Sequence, residues 1–320
     1  MDCCFLSKFA PDFRIMPQAV IDLGTNTFNL VIAETSTKEV LYNEKIPVRL
    51  GKNGISKGII QPDAIDRAIQ ALLHYRQKIE EHSVEKTTVT ATSAVRNASN
   101  QNEFVNQVLE RVGFKIEVLS GDNEAAVIHA GVSNYLEIGI EPQLIIDIGG
   151  GSIEFIIANS KEHLWMRSLE IGGQRLMDQF QEKDPIDPKD VERLNSFLDQ
   201  QLQEVIQNCK SHNVEGLIGS AGSFDTLKQM YHLSDAGRSI NPINPNLPIE
   251  YFQKVLKEFI SKDRAQRLKI PGMIEMRVDM IVVASLVIEY LIKELAISKM
   301  RVSAFSLKEG ILFGNFEDLN

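Results

Sequence analysis

Two short segments of this 320-residue sequence carry the residue types that phosphate chemistry needs. Asp22-Leu23-Gly24-Thr25-Asn26-Thr27 aligns without a gap with Asp147-Ile148-Gly149-Gly150-Gly151-Ser152, at a constant offset of 125 residues. Glycine-rich turns let backbone N–H groups converge on an oxyanion, because no Cβ blocks the approach. Thr25, Asn26, Thr27 and Ser152 add side-chain donors. The aspartate ending each preceding strand, Asp22 or Asp147, can hold Mg²⁺ directly or through water. The match extends to Ile32-Ala33 opposite Ile157-Ala158. A weaker pair, Ala91-Thr92-Ser93-Ala94 and Gly219-Ser220-Ala221-Gly222, follows at nearly the same spacing. A duplicated α/β domain whose halves face each other across a cleft explains the repeat. Two unrelated strand–turn–strand units are the alternative.

The elements that must position these turns are legible from periodicity. Residues 19–22 and 27–34 read as a hairpin, and 40–50 as a further strand before a loop marked by Gly51, Gly54 and Gly58. Residues 61–82 are an amphipathic helix, with Ile65, Ala68, Ile69, Leu72 and Ile79 on one face. A strand at 87–91, a helix at 101–112 closed by Gly113, and a strand at 115–119 follow. Ser120 caps a helix starting near Asp122. Strands are expected at 143–148, 153–158 and 164–171. One long helix is expected at 188–211, with Asp187 as its cap and Pro188 in its first position. A strand at 216–219, helices at 221–231, 249–259 and 277–295, and a last strand at 301–305 complete the reading.

Composition excludes several classes. With 43 acidic against 34 basic residues, the net charge is −9, which argues against a duplex nucleic-acid binder. A local basic cleft can still take a polyanion. Cys3, Cys4 and Cys209 form neither a disulfide framework nor a zinc pattern, so a reducing cytoplasm is expected. The longest apolar run, 280–288, is under half of the ~20 residues a spanning helix needs. No signal peptide is visible, and no membrane association is expected. The first fifteen residues look unlike the rest, and Met16 precedes the first strong strand, so a dispensable tail or misassigned start is expected. The basic stretch 262–269 reads as the solvated face of a short helix, with guidance of a polyanionic tail as the alternative.

These motifs resemble the Ppx/GppA family of exopolyphosphatases and guanosine pentaphosphate phosphohydrolases, from about residue 19 to 312. Asp22 to Phe28 resembles its first phosphate turn, Arg49-Leu50-Gly51 the loop after the third strand, and Ala91 to Arg96 its phosphate-contacting strand–helix turn. Ser120 to Ala125 resembles the segment bearing the catalytic glutamate, Asp147 to Glu154 the second phosphate turn, and Gly219 to Ser223 the last cleft turn. Arg277 to Ile281 and Ser306 to Gly310 resemble its C-terminal signatures. The resemblance implies two duplicated ribonuclease-H-like domains of the actin–sugar kinase–Hsp70 superfamily. Residues 1–123 would form one, with 302–320 returning to it, and 124–301 the other. Asn123 departs from a common acidic residue. Lys308 stands where Arg is usual, keeping charge but losing the bidentate fork. Longer members carry an additional C-terminal helical region absent here, so high processivity is not expected.

The resemblance makes Glu124 the base that deprotonates the attacking water. On residue type alone it reads first as an ordinary acid in a helix first turn, favoured by the dipole. Asp22, Asp147 and Glu154 are the expected metal ligands, for Mg²⁺ or another divalent cation. Thr25, Asn26, Thr27, Arg49, Thr92, Ser93, Arg96, Gly149, Gly150, Gly151, Ser152, Ser220 and Gly222 are the expected phosphate contacts. The implied function is Mg²⁺-dependent release of orthophosphate from inorganic polyphosphate. Hydrolysis of pppGpp to ppGpp is the nearest rival, and a superfamily kinase or a non-catalytic phosphate or alarmone sensor the more remote ones. A homodimer through a late helix is a further expectation.

Overall fold

Strand-forming runs of three to eight residues alternate with amphipathic segments along the chain, and this alternation builds two sheets of one topology. A computed structural model describes residues 17–314; the expectation for residues 1–15 and the two cysteines there lie outside the described residues. The strands are β1 (Gln18–Leu23), β2 (Phe28–Glu34), β3 (Glu39–Ile46), β4 (Lys86–Ala91), β5 (Ile116–Val118), β6 (Gln143–Ile148), β7 (Ile153–Ala158), β8 (His163–Leu169), β9 (Gly216–Ser220) and β10 (Lys299–Val302). The helices are α1 (Pro62–Glu81), α2 (Ser93–Arg96), α3 (Gln101–Val112), α4 (Gly121–Tyr135), α5 (Gly173–Phe180), α6 (Pro188–Gln201), α7 (Gln203–Ser211), α8 (Gly222–Leu233), α9 (Ile249–Ser261), α10 (Arg264–Arg267), α11 (Ile281–Glu294) and α12 (Leu307–Phe313).

The first sheet runs β3-β2-β1-β4-β5 and the second β8-β7-β6-β9-β10. In each, an antiparallel hairpin supplies the central strand, which pairs in parallel with the next one. The repeat seen in the sequence is therefore a repeat of topology. It brings the two hairpin turns to corresponding ends of their sheets.

Separate cores hold the two sheets. Ile21, Leu30 and Phe28 pack with Ile69, Leu72 and Phe104 in the first. Ile146, Phe155 and Leu217 pack with α6, α8 and α11 in the second. Helix α4 lies on the second sheet, with Val127 and Ile128 against Ile145, Ile156 and Ile218. Helix α12 reaches the first sheet, where Leu312 meets Val20 and Val31. Gly131 of α4 and Gly310 of α12 let these helices meet backbone to backbone: a Cβ on Gly131 would strike the Ser306 carbonyl, and one on Gly310 the Val127 carbonyl. That contact fixes two site segments, the start of α4 and the start of α12.

Four elements differ from expectation. The stretch 188–211 breaks at Leu202 into α6 and α7, although Leu194, Leu198, Leu202, Val205 and Cys209 stay buried on both sides. The apolar period survives an interruption of the hydrogen-bond ladder, so periodicity does not register it. Helix α11 starts at Ile281, leaving residues 277–280 as turns. The last strand stops at Val302, and a Ser306/Glu309 capping box opens α12. The basic stretch is not a wholly solvated face: Arg267 is fully buried, donating to Asp184 at 2.6 Å and to the Val278 carbonyl at 3.1 Å. No described helix is long and apolar enough to cross a membrane.

Candidate active site

Strand ends converge where the two sheets face each other, and the loops leaving them line a narrow cleft with a cavity of about 100 Å³. Asp22, Thr25, Asn26 and Thr27 come from the first hairpin, and Thr92 and Ser93 from the turn after β4. Asp147, Gly149, Gly150, Gly151, Ser152 and Glu154 come from the second hairpin, Gly222 from the turn after β9, and Glu124 from the first turn of α4. Three expected contacts stand elsewhere. The Arg49 side chain is exposed outside the cleft. Its loop braces the first turn from behind, with Arg49 N–H donating to Asn26 O at 2.8 Å and Gly51 N–H to Thr25 O at 2.9 Å. Ser220 donates to Asp147 at 2.8 Å. Arg96 is engaged by carboxylates: its Nη1 donates to Glu124 at 2.8 Å and its Nη2 to Glu170 at 2.8 Å.

Glu124 is placed by its cap. Ser120 accepts from the Asn123 N–H at 3.1 Å, which starts α4 so that the carboxylate enters the cleft while remaining buried. Burial pushes its pKa up to about 8; the adjacent Arg96 opposes this, and Asp147 and Asp22 add to it. Burial likewise raises Asp22 to about 6, against the Asn29 amide that donates to it at 2.9 Å. Burial raises Asp147, opposed by hydrogen bonds from Ser306 at 2.5 Å and Ser220 at 2.8 Å. Glu154 lies well above its ordinary range through burial and the neighbouring charges of Glu124 and Asp147, although Ser168 donates to it at 2.7 Å. Four carboxylates thus crowd one site and resist ionising together.

That crowding fits a hard cation, which oxygen-only donors favour. Among the described residues no three His, Cys, Asp or Glu side chains are placed to hold one ion, so Asp22, Asp147 and Glu154 do not form a closed ligand set. The donors present suit Mg²⁺, which is commonly held by one or two carboxylates, water and substrate phosphate oxygens.

The structure adds residues that the sequence reading left without a role. Arg277 lines the cleft, its guanidinium lying against Gly222, where a Cβ would collide with it. Among the described residues that guanidinium makes no hydrogen bond or ion pair. Burial lowers its pKa, with Asp225 and Asp147 opposing. The only signal of it in the sequence is its place at the head of the Arg277-to-Ile281 signature. Ser306 ties α12 to Asp147. Asn29 is the register counterpart of Glu154, which the 125-residue offset could have identified. Lys308 pairs with Glu309 at 2.8 Å and does not line the cleft.

Residues 30–318 match the model of the Ppx/GppA phosphatase family. The chain belongs to this family. A crystal structure described as an exopolyphosphatase from Cytophaga hutchinsonii is 39% identical, with a TM-score of 0.88, over 93% of this chain and 96% of that one. The Ppx/GppA family member of Aquifex aeolicus is 25% identical, with a TM-score of 0.76, over 93% and 96%. A Pseudoalteromonas translucida protein named guanosine-5'-triphosphate,3'-diphosphate pyrophosphatase is 27% identical over 308 residues; the match takes in 94% of this chain and 60% of that protein's length. The expected α/β fold with two duplicated lobes is what this Ppx/GppA protein has, and the expected enzyme class, a phosphoanhydride hydrolase, is that of its family.

Proposed function

We propose that this Ppx/GppA phosphatase is an exopolyphosphatase that removes the terminal phosphate of inorganic polyphosphate. The observation that carries this reading is the buried Glu124 carboxylate lining a cleft walled by two phosphate-type turns, 2.8 Å from Arg96. The resemblance in sequence and shape to the Cytophaga hutchinsonii exopolyphosphatase supports it. The N–H groups and hydroxyls of the Thr25–Thr27 and Gly149–Ser152 turns bind and orient the terminal phosphate. Glu124 takes a proton from water held in line with the scissile bond, within hydrogen-bonding reach. Arg277 neutralises charge on the non-bridging oxygens, and such neutralisation with positioning is most of what phosphoryl transfer requires of a protein; Arg96 holds the Glu124 carboxylate in place. Mg²⁺, held by Asp147, Asp22 or Glu154, supplies further charge neutralisation on the phosphates when bound. The two lobes that would close over the substrate are, among the described residues, 17–123 with 302–314, and 124–301.

A second reading keeps the site and changes the substrate to pppGpp, favoured by the similarity to the Pseudoalteromonas translucida pyrophosphatase. Phosphate release from long-chain polyphosphate and from pppGpp, measured side by side with Mg²⁺ and with Glu124→Gln as control, decides between them. Release from polyphosphate that vanishes in the variant supports the first reading. Release from pppGpp alone supports the second. Release from neither refutes both.

A further inference from the structure

The cationic turn of the first lobe is already filled by an anion belonging to the protein. Glu170 stands between β8 and α5, on the second sheet's side of the cleft. Its carboxylate accepts from the Ser93 hydroxyl, from Arg96 Nη2 at 2.8 Å and Nε at 3.3 Å, and lies 3.5 Å from Arg175 Nη2. Ser93 and Arg96 follow β4, so this contact crosses from one sheet to the other. Arg175 reinforces it by donating to the Ile55 and Gly151 carbonyls, each at 3.0 Å.

A hydroxyl, a guanidinium fork and a second guanidinium around one oxyanion are the donor set that a phosphate oxygen takes. The rest of Arg96 is committed, since Nη1 bonds Glu124 at 2.8 Å and the Leu119 carbonyl at 3.0 Å. While Glu170 stays, Arg96 has no free edge for a substrate. Burial works to raise the Glu170 pKa, but the hydrogen bonds from Ser93 and Arg96 outweigh it and hold the group below its ordinary range, so the resident group is an ionised carboxylate. The Glu170 side chain is 37% exposed, so it stands at the rim with room to leave.

We propose that Glu170 is an internal stand-in for a substrate phosphate: it occupies a subsite built by Ser93, Arg96 and Arg175 and is displaced when a phosphate group enters. The inference rests on the phosphate-cleft reading above. Two consequences follow from the competition. Affinity for short phosphate anions is discounted by the work of expelling Glu170, as for any ligand whose competent state is a fraction of the population. Bound orthophosphate also faces an internal competitor, which speeds its departure.

The test is calorimetric binding of methylenediphosphonate, a non-hydrolysable diphosphate, to the full chain and to Glu170→Gln and Glu170→Ala, alongside the KM for tripolyphosphate. Removal of the resident charge is expected to tighten diphosphonate binding about tenfold and to lower KM. Adding Arg175→Ala to Glu170→Gln is expected to cancel the gain. A cooperatively melting variant that binds no tighter, or more weakly, overturns the proposal, because Glu170 would then serve only to hold Arg96 in place. Absence of binding to every form also overturns it. If Glu170→Ala does not fold, Glu170→Gln, which keeps the size and one acceptor, decides. A chain that hydrolyses neither polyphosphate nor pppGpp refutes the proposed function and leaves the binding comparison to judge Glu170. A chain that hydrolyses them normally with unchanged diphosphonate binding refutes the Glu170 inference alone.

Discussion

Glu154 occupies in the second hairpin the register position that Asn29 occupies in the first: Asp147 pairs with Glu154 across β6 and β7, and Asp22 with Asn29 across β1 and β2. The duplicated hairpins are therefore not electrostatically equivalent. In the first, an amide donates to the aspartate. In the second, a carboxylate opposes one, and both are buried.

This asymmetry sets a stability prediction. A carboxyl whose folded pKa is raised binds more protons folded than unfolded, so its contribution falls as pH rises from the unfolded value through the folded one. For Glu154, raised well above 4.5, ionisation costs stability at neutral pH. Glu154→Gln removes that cost. It is expected to raise the metal-free melting temperature at pH 7.5 by a few degrees, on the scale of about 1–2 kcal/mol, and to lower phosphate release at least tenfold. Calorimetric melting at pH 5 and 7.5 checks it: the difference between variant and parent grows with pH. A variant less stable at both pH values would refute the charge-crowding account.

Glu124, raised to about 8 in the free protein, must be ionised to accept a proton. The kcat/KM for tripolyphosphate is expected to rise with pH on the alkaline side of neutrality, since protonated enzyme predominates below the pKa. Glu124→Gln is expected to lose roughly 10²–10⁴-fold in kcat, the usual worth of a general base. A flat profile between pH 6 and 9 would remove Glu124 from the proton-transfer step.

Arg277 is a cleft cation whose guanidinium has no hydrogen-bonding or ion-pair partner among the described residues. Hydrogen bonds to charged groups are worth about 1.5–3 kcal/mol, so Arg277→Ala is expected to weaken substrate binding roughly tenfold to a hundredfold. Arg277→Lys recovers part of this, because it keeps charge without the planar fork. Calorimetric affinity for methylenediphosphonate reports the effect independently of turnover, and unchanged affinity in Arg277→Ala would take it out of the site.

The contact of α4 with α12 is tight enough to test by one methyl group. Gly310→Ala would drive a Cβ into the Val127 carbonyl, and backbone cannot yield as a side-chain tip can. The expected cost is about 3 kcal/mol, the upper end for overpacking, seen as a melting temperature several degrees lower. The shift also moves Ser306 from Asp147, so activity should fall more than stability alone explains. A neutral Gly310→Ala would mean that the helices are free to separate.

Much of this protein was legible in its residues because it depends on short-range rules. The 125-residue offset of Asp22 and Asp147 foretold two hairpins with one topology, since a strand, its turn and the residue at the turn are local and copied together. The Ser120 cap and the following Glu124 foretold where α4 begins and which acid stands in its first turn, because capping acts within one helical turn. The period of 188–211 foretold its buried stripe but not its break at Leu202, since burial and ladder continuity are separate properties. What the tertiary structure decided was every contact between distant segments. Whether Arg96 meets a phosphate, Glu124 or Glu170 depends on how one lobe rests on the other. Whether Arg277 enters the cleft depends on its packing over Gly222. The raised pKa values of Asp22, Glu124, Asp147 and Glu154 come first from burial and then from the charge of nearby carboxylates, and both arise only when strands far apart in the chain are brought into a single cleft.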